Sequence, residues 1–133
     1  YLVGDIMVEK LFEIGFLFDF YGKLLSKRQY NIIDLFYLQD LSLSEIGEEL
    51  DITRQGVYDT LKRAEDNLYK YEDTLGLVGK FKESHRNIKK ILEASRDIDN
   101  LVLENKYTEI MEKTKLIEDI SLEILENSWE VID

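Results

Sequence analysis

From position 11 to 25 apolar residues recur at steps of three and four. The set is Leu11, Phe12, Ile14, Leu17, Phe18, Tyr21, Leu24 and Leu25, widened by Phe16 and Phe20. This spacing predicts an amphipathic helix over residues 7 to 25. Its stripe is too broad to be covered from one side, so it belongs in a core or an interface. Ser26 then sits three residues before Gln29, the spacing of a capping box. A second helix is expected from Lys27 to about Leu38, with Ile32, Ile33, Leu35, Phe36 and Tyr37 as a wide apolar face. Asp40 and Leu41 make a short connection.

The same start signal returns at Ser42, with Glu45 three residues on. A short helix from Leu43 to Leu50 follows, turning Ile46 and Leu50 inward. Gly47 is expected where two helices cross closely. Asp51 takes the turn, because Asp tolerates left-handed backbone. Ile52 plugs the turn into the core, and Thr53 caps the next helix. That helix runs from Arg54 to about Leu75. Val57, Leu61, Ala64 and Leu68 form its inward stripe, with Tyr71 and Leu75 beyond. A capped short helix, a tight turn and a capped long helix have the layout of a helix-turn-helix.

Gly76 and Gly79 interrupt the pattern and predict a joint. Beyond it, positions 81, 84, 88, 91, 95, 98 and 102 alternate by three and four, which reads as a coiled-coil seam with polar gaps at Ser84 and Ser95. Asn105 and Lys106 are expected to form a turn. A last helix from Tyr107 to about Val131 offers Ile110, Ile117, Ile120, Ile124 and Val131. Two helices with such narrow stripes need a partner surface in water. The fold class is therefore all-α, with an N-terminal helix and helix-turn-helix domain over residues 7 to 78 and a two-helix extension over 79 to 133.

Composition agrees with long helices: no Pro, seven Gly and no Cys in 133 residues. Absent Cys excludes a disulfide framework and points to a reducing cytoplasm. The apolar start is broken by Asp5, Glu9, Lys10, Glu13 and Asp19, so neither a signal peptide nor a membrane span is expected. The chain opens on Tyr1, and Met7 reads as the native start. Charge changes the picture most. Seventeen basic side chains face 28 acidic ones, net −11, and a field of that sign slows approach to a polyanion.

No site for chemistry emerges. His85 is the only histidine and lacks a neighbouring Cys or His, so no metal is expected. There is no phosphate-binding GxxxxGK[ST] loop, and the serines have no triad partners. The chain reads as a non-enzyme that needs no cofactor.

The stretch from Leu25 to Leu75 resembles region 4 of bacterial sigma factors. LFDFYGKLLSKRQ, FYLQDLSLSEIGEEL and ITRQGVYDTLKRAEDNL together more closely resemble the YlxM family, over residues 11 to 80. These are small cytoplasmic helical proteins. The resemblance implies a regulatory, nucleic-acid-binding role in or near the signal recognition particle pathway, and a particle component as partner. Gly47 and Gly56 stand where the resemblance leads one to expect Ala.

With Val57, Leu61, Ala64 and Leu68 inward, the outward set near the start of the long helix is Arg54, Gln55, Tyr58, Asp59 and Lys62. In a helix-turn-helix these positions meet base edges. Arg suits guanine and Gln suits adenine. Thr53 and the first-turn N–H groups suit a phosphate, and Lys62 and Arg63 suit the backbone. The nucleic-acid-binding set is therefore Thr53, Arg54, Gln55, Tyr58, Lys62 and Arg63, on DNA or RNA. Against it stand Asp59, Glu65 and Asp66 on the same helix and the acidic group Glu45, Glu48, Glu49 and Asp51 beside it. The competing reading is an acidic protein-interaction module that keeps the helix-turn-helix as scaffold. Apolar surplus on residues 11 to 25 and along the seam predicts a homodimer.

Overall fold

The computed structural model describes residues 2 to 129, and these hold six α-helices: α1 Leu2–Tyr21, α2 Lys27–Ile33, α3 Leu43–Leu50, α4 Arg54–Leu75, α5 Leu77–Leu103 and α6 Tyr107–Trp129. A 3₁₀ turn, Gly22–Leu24, follows α1, and a π-turn, Asp34–Leu38, follows α2. The expected fold class, all-α, holds. Val131, assigned by spacing to the last helix, lies outside the described residues. No helix among those described is long and apolar enough to cross a membrane.

The chain forms two compact units, Tyr1–Gly79 and Lys80–Asp133. In the first, α4 packs against α1, α2 and α3. Ile14, Leu17, Phe18, Tyr21 and Leu25 bury the inner side of α1 and its turn, while Leu11, Phe12 and Leu24 of the same stripe stay exposed. Ile32, Ile33, Leu35, Ile46, Val57, Leu61, Ala64, Leu68 and Val78 complete the core. Burying side chains of this size stabilises by about 1.5–3 kcal/mol each, which is why the helices form together and not singly.

Both predicted capping boxes are present: Ser26 with Gln29 and Ser42 with Glu45 exchange side-chain and backbone hydrogen bonds. The second helix departs from the expected single run to Leu38. It widens after Ile33 into the π-turn, whose C-terminal Gln39 N–H donates to the Asp34 carbonyl at 3.0 Å. That wider turn carries Tyr37, whose hydroxyl donates to Glu65 of α4.

Asp51 closes α3 in the left-handed region, φ 52°, as its residue type predicts. Gly47 is needed for a different reason than expected. The close neighbour is the turn itself: a Cβ at Gly47 would lie 2.7 Å from the Ile52 carbonyl oxygen. The Ile52 N–H in turn donates to the Gly47 carbonyl at 2.9 Å. The turn folds back on its own helix, and only glycine leaves room.

The joint after α4 is tighter than two glycines suggest. Gly76 ends α4 at φ 62°, but Gly79 already lies within α5. Glu72 stabilises this restart: its carboxylate accepts from Val78 N–H at 3.1 Å, Gly79 N–H at 3.0 Å and Tyr21 hydroxyl at 2.6 Å. These N–H groups have no partner within a helix's first turn, so a glutamate two turns back supplies one.

In the second unit, Asn105 reverses the chain in the left-handed region, φ 55°, as expected. Lys113 of α6 pairs with Asp97 of α5 at 3.1 Å. On α6 the covered or half-covered line includes Ile110, Ile117, Ile120 and Ile124, the predicted side. On α5 the predicted seam is displaced in part. Covered positions are Asn87, Ile91, Ala94, Ile98 and Leu101, whereas Phe81, Ile88 and Val102 are half exposed or more. Ile91 and Ile98 of the predicted seam are covered, but the positions between them shift by one residue, from Ile88 and Ser95 to Asn87 and Ala94, which carry little hydrophobic signal.

Candidate nucleic-acid interface

Thr53 opens α4 from extended backbone, and its Oγ1 accepts from Gly56 N–H at 3.0 Å. The four-three-four stripe Val57, Leu61, Ala64 and Leu68 is fully or nearly fully buried. Anchoring of that side leaves Thr53, Arg54, Gln55, Tyr58, Asp59, Lys62 and Arg63 exposed on the other. All six residues of the expected set therefore share the solvent side of the second helix of the motif. They include no basic cluster comparable to those around most DNA-reading helices.

Four of the six, Thr53, Gln55, Lys62 and Arg63, already have polar groups engaged. The Thr53 oxygen is committed to the cap. Gln55 Nε2 donates to Asp59 Oδ1 at 2.9 Å. Arg63 Nε donates to the Asp59 carbonyl at 3.3 Å. Lys62 reaches Glu65 at 3.4 Å and lies 5.8 Å from the Tyr58 ring centroid. Among the described residues Arg54 and Arg63 make no salt bridge to a carboxylate. An open groove at the turn is lined by Ser44, Gly47, Glu48, Asp51, Ile52, Thr53 and Arg54, so Arg54 shares its rim with two acids.

Glu65 corrects the sequence reading. It was expected among the outward acids, but it is 4% exposed. It is four residues from Leu61, so the periodicity already placed it inward; only its polarity argued otherwise. Its carboxylate accepts from Tyr37 hydroxyl at 2.5 Å, Lys10 Nζ at 3.0 Å and Lys62 Nζ at 3.4 Å. Burial alone would raise its pKa. Donation from Tyr37 and Lys10 and the charges of Lys10 and Lys62 outweigh that, so the carboxyl sits below its usual range. Tyr37 is pushed far up, by burial first and then by bonding to Glu65. Glu65 in turn holds the Lys62 ammonium in its charged form. Nearby, Tyr69 donates to Glu13 at 2.9 Å, and burial with that bond raises it to about 12.

Glu45, by contrast, is drawn below its usual range by the backbone and side chain of Ser42, a local effect of the capping box. It is spent on starting α3.

The comparisons follow this geometry. A model of the family described as "UPF0122: Putative helix-turn-helix protein, YlxM / p13 like" matches residues 8–130. A UPF0122 protein of Acetivibrio thermocellus is 41% identical over 120 residues, covering 90% of this chain and 100% of that protein. One of Thermoanaerobacter sp. is 46% identical over 110 residues, 83% of this chain and 89% of that protein. One of Caldanaerobacter subterraneus subsp. tengcongensis is 58% identical over 77 residues, 58% of this chain and 66% of that protein. With its capped α3, its left-handed Asp51 and the buried stripe of α4, the chain belongs to the UPF0122 family of YlxM / p13-like helix-turn-helix proteins.

Proposed function

We propose that this is a non-enzymatic regulatory protein that binds nucleic acid through the exposed first turns of α4. The observation that carries the reading is the placement of Thr53, Arg54, Gln55, Tyr58, Lys62 and Arg63 on the solvent side of the second helix of the motif. Residues at the start of that helix meet base edges in proteins of this type. Residues 7 to 78 form the binding domain in this reading and residues 79 to 133 its helical extension. The role in or near the signal recognition particle pathway that the YlxM resemblance implies makes a component of that particle the proposed partner.

Binding should weaken with salt, and Arg54→Glu should lower affinity at least tenfold. Electrophoretic mobility shift on a pool of randomised duplexes and structured RNAs, wild type against Arg54→Glu, is the test. Equal shifts for the two proteins would remove α4 as the contact.

A second reading is favoured by a specific observation. Gln55 is held by Asp59 and Lys62 by Glu65, while Glu48 and Asp51 flank Arg54 in the groove. An acidic surface of this kind suits a basic protein partner, with the helix-turn-helix as scaffold. Co-purification with and without nuclease separates the two readings, since only a protein partner persists after nuclease treatment.

A homodimer is also proposed. Ile6, Met7, Val8, Leu11 and Phe12 on α1 are all more than two-fifths exposed. Met7, Val8, Leu11 and Phe12 fall within about 140° of helix arc, and a large exposed apolar patch of that kind marks an interaction surface.

A further inference from the structure

The start of α5 reads KFKESHRNIKK, residues 80 to 90, with five basic side chains and one acidic. The rest of the chain beyond it, residues 91 to 133, holds four basic and twelve acidic. A reversal of sign this local disappears when charge is averaged over the whole extension. All of these basic side chains are exposed. Arg86, Lys89 and Lys90 make no salt bridge with the described residues.

Helix geometry gathers them. At 3.6 residues per turn, Lys82, Arg86, Lys89 and Lys90 fall within about 100° of arc. That arc is turned away from the covered line of Asn87, Ile91, Ala94 and Ile98. Beside it, Phe81, His85, Ile88 and Leu92 occupy roughly the next 60°. Phe81 is 50% exposed, Ile88 59% and Leu92 47%. The Phe81 and His85 rings stack, with centroids 6.4 Å apart and planes at 22°. A cationic row thus runs alongside an exposed aromatic and aliphatic row on one stretch of helix.

We infer that this double row is a binding surface for single-stranded nucleic acid, built from residues other than the proposed α4 set. The cations follow the sugar-phosphate backbone, and unstacked bases lie against Phe81, His85, Ile88 and Leu92. Cationic tracks with aromatic platforms are the general device for single strands. A duplex keeps its bases stacked inside and has no use for the apolar row. An anionic membrane surface fits less well. A helix lying on a bilayer presents its whole length to it, and α5 continues on this side with Glu93 and Asp97. From Lys82 to Lys90 the row spans ~12 Å, and its three cations outside any salt bridge with the described residues, Arg86, Lys89 and Lys90, can each neutralise one phosphate.

Fluorescence anisotropy of the full chain with a labelled 20-nucleotide poly(U) at low salt tests this. The expected slope of log affinity against log salt is about −2, from three neutralised phosphates of a single strand. The triple variant Arg86→Glu, Lys89→Glu, Lys90→Glu should bind at least tenfold more weakly. Arg54→Glu, on α4, should bind poly(U) like wild type, which separates this surface from that one. The neutral triple variant to Gln, checked for helix content by circular dichroism, should show a smaller loss in the same direction and excludes misfolding as the cause. The inference is overturned if wild type fails to bind poly(U) at low salt. It is also overturned if both triple variants bind within twofold of wild type, or if wild type binds phosphatidylglycerol vesicles in preference to poly(U).

Discussion

The Tyr37 hydroxyl donates to Glu65 across 2.5 Å, joining the π-turn after α2 to the middle of α4. Two lysines on the same carboxylate, Lys10 of α1 and Lys62 of α4, make it a meeting point of three elements. A buried carboxylate is costly unless its oxygens are satisfied, and here they are. The same arrangement ties Lys62, still exposed on the solvent side of α4, to a buried carboxylate. The buried network therefore bears on both stability and the charge offered at the proposed interface.

Tyr37→Phe should destabilise the fold by about 1–2 kcal/mol, because Glu65 loses its shortest bond while buried. Glu65→Ala should cost about 2 kcal/mol, and not more, because Lys10 and Lys62 are partly exposed and return to water. Urea denaturation followed by circular dichroism measures both. A cost below 0.5 kcal/mol for each, on the order of a surface substitution, would show that the network is not structural.

Stability should fall on both sides of neutrality. The Glu65 carboxyl titrates below its unfolded value of 4.5, so near that pH the unfolded chain holds more protons. Its contribution is complete above about 4.5 and is lost as pH falls through the folded value. Tyr69 is the opposite case: raised from 10.0 to about 12, it stabilises fully below 10 and loses that contribution as pH rises toward 12. Thermal melts across pH 3 to 12 read both limbs, and Glu65→Gln should flatten the acid one.

Two glycines should respond oppositely to alanine. At Gly47 the new Cβ would meet the Ile52 carbonyl at 2.7 Å, so Gly47→Ala should cost about 1–3 kcal/mol. At Gly15 in α1 nothing lies within 4 Å, so Gly15→Ala should stabilise by about 0.5–1 kcal/mol. Chemical denaturation of the two variants decides it, and the same sign for both would overturn the account of the turn.

Removing a cap should cost a similar amount at each helix start. Ser26→Ala, Ser42→Ala and Thr53→Ala should each lose about 1 kcal/mol. Thr53→Ala should in addition weaken nucleic-acid binding if the first turn of α4 holds a phosphate, while Ser26→Ala should leave binding unchanged.

Sedimentation equilibrium at micromolar concentration should show twice the 15.7 kDa chain mass. Phe12→Glu, at an α1 position 66% exposed, should return it to the monomer. A wild-type chain that sediments as a single 15.7 kDa species would refute the dimer.

The sequence by itself determined the helices, their starts and most of their inner faces. Ser26, Ser42 and Thr53 are short-range signals, each complete within four residues, and Asp51 and Asn105 mark turns by what their own backbones tolerate. Val57, Leu61, Ala64 and Leu68 declare a buried side because burial and helical period are both written in one segment. Only the tertiary structure decided the rest. Glu65, inward by period, can be buried as a carboxylate because Tyr37 and Lys10, 28 and 55 residues away, satisfy it. Gly47 is required by a turn folding back on its own helix, not by a crossing helix. The α5 line settles on Asn87 and Ala94, where a small or polar side chain is covered by what packs on it. Local propensity is a property of a few neighbouring residues, whereas the satisfaction of a buried charge, the clearance at a turn and the phase of a narrow stripe are set by atoms distant in the chain.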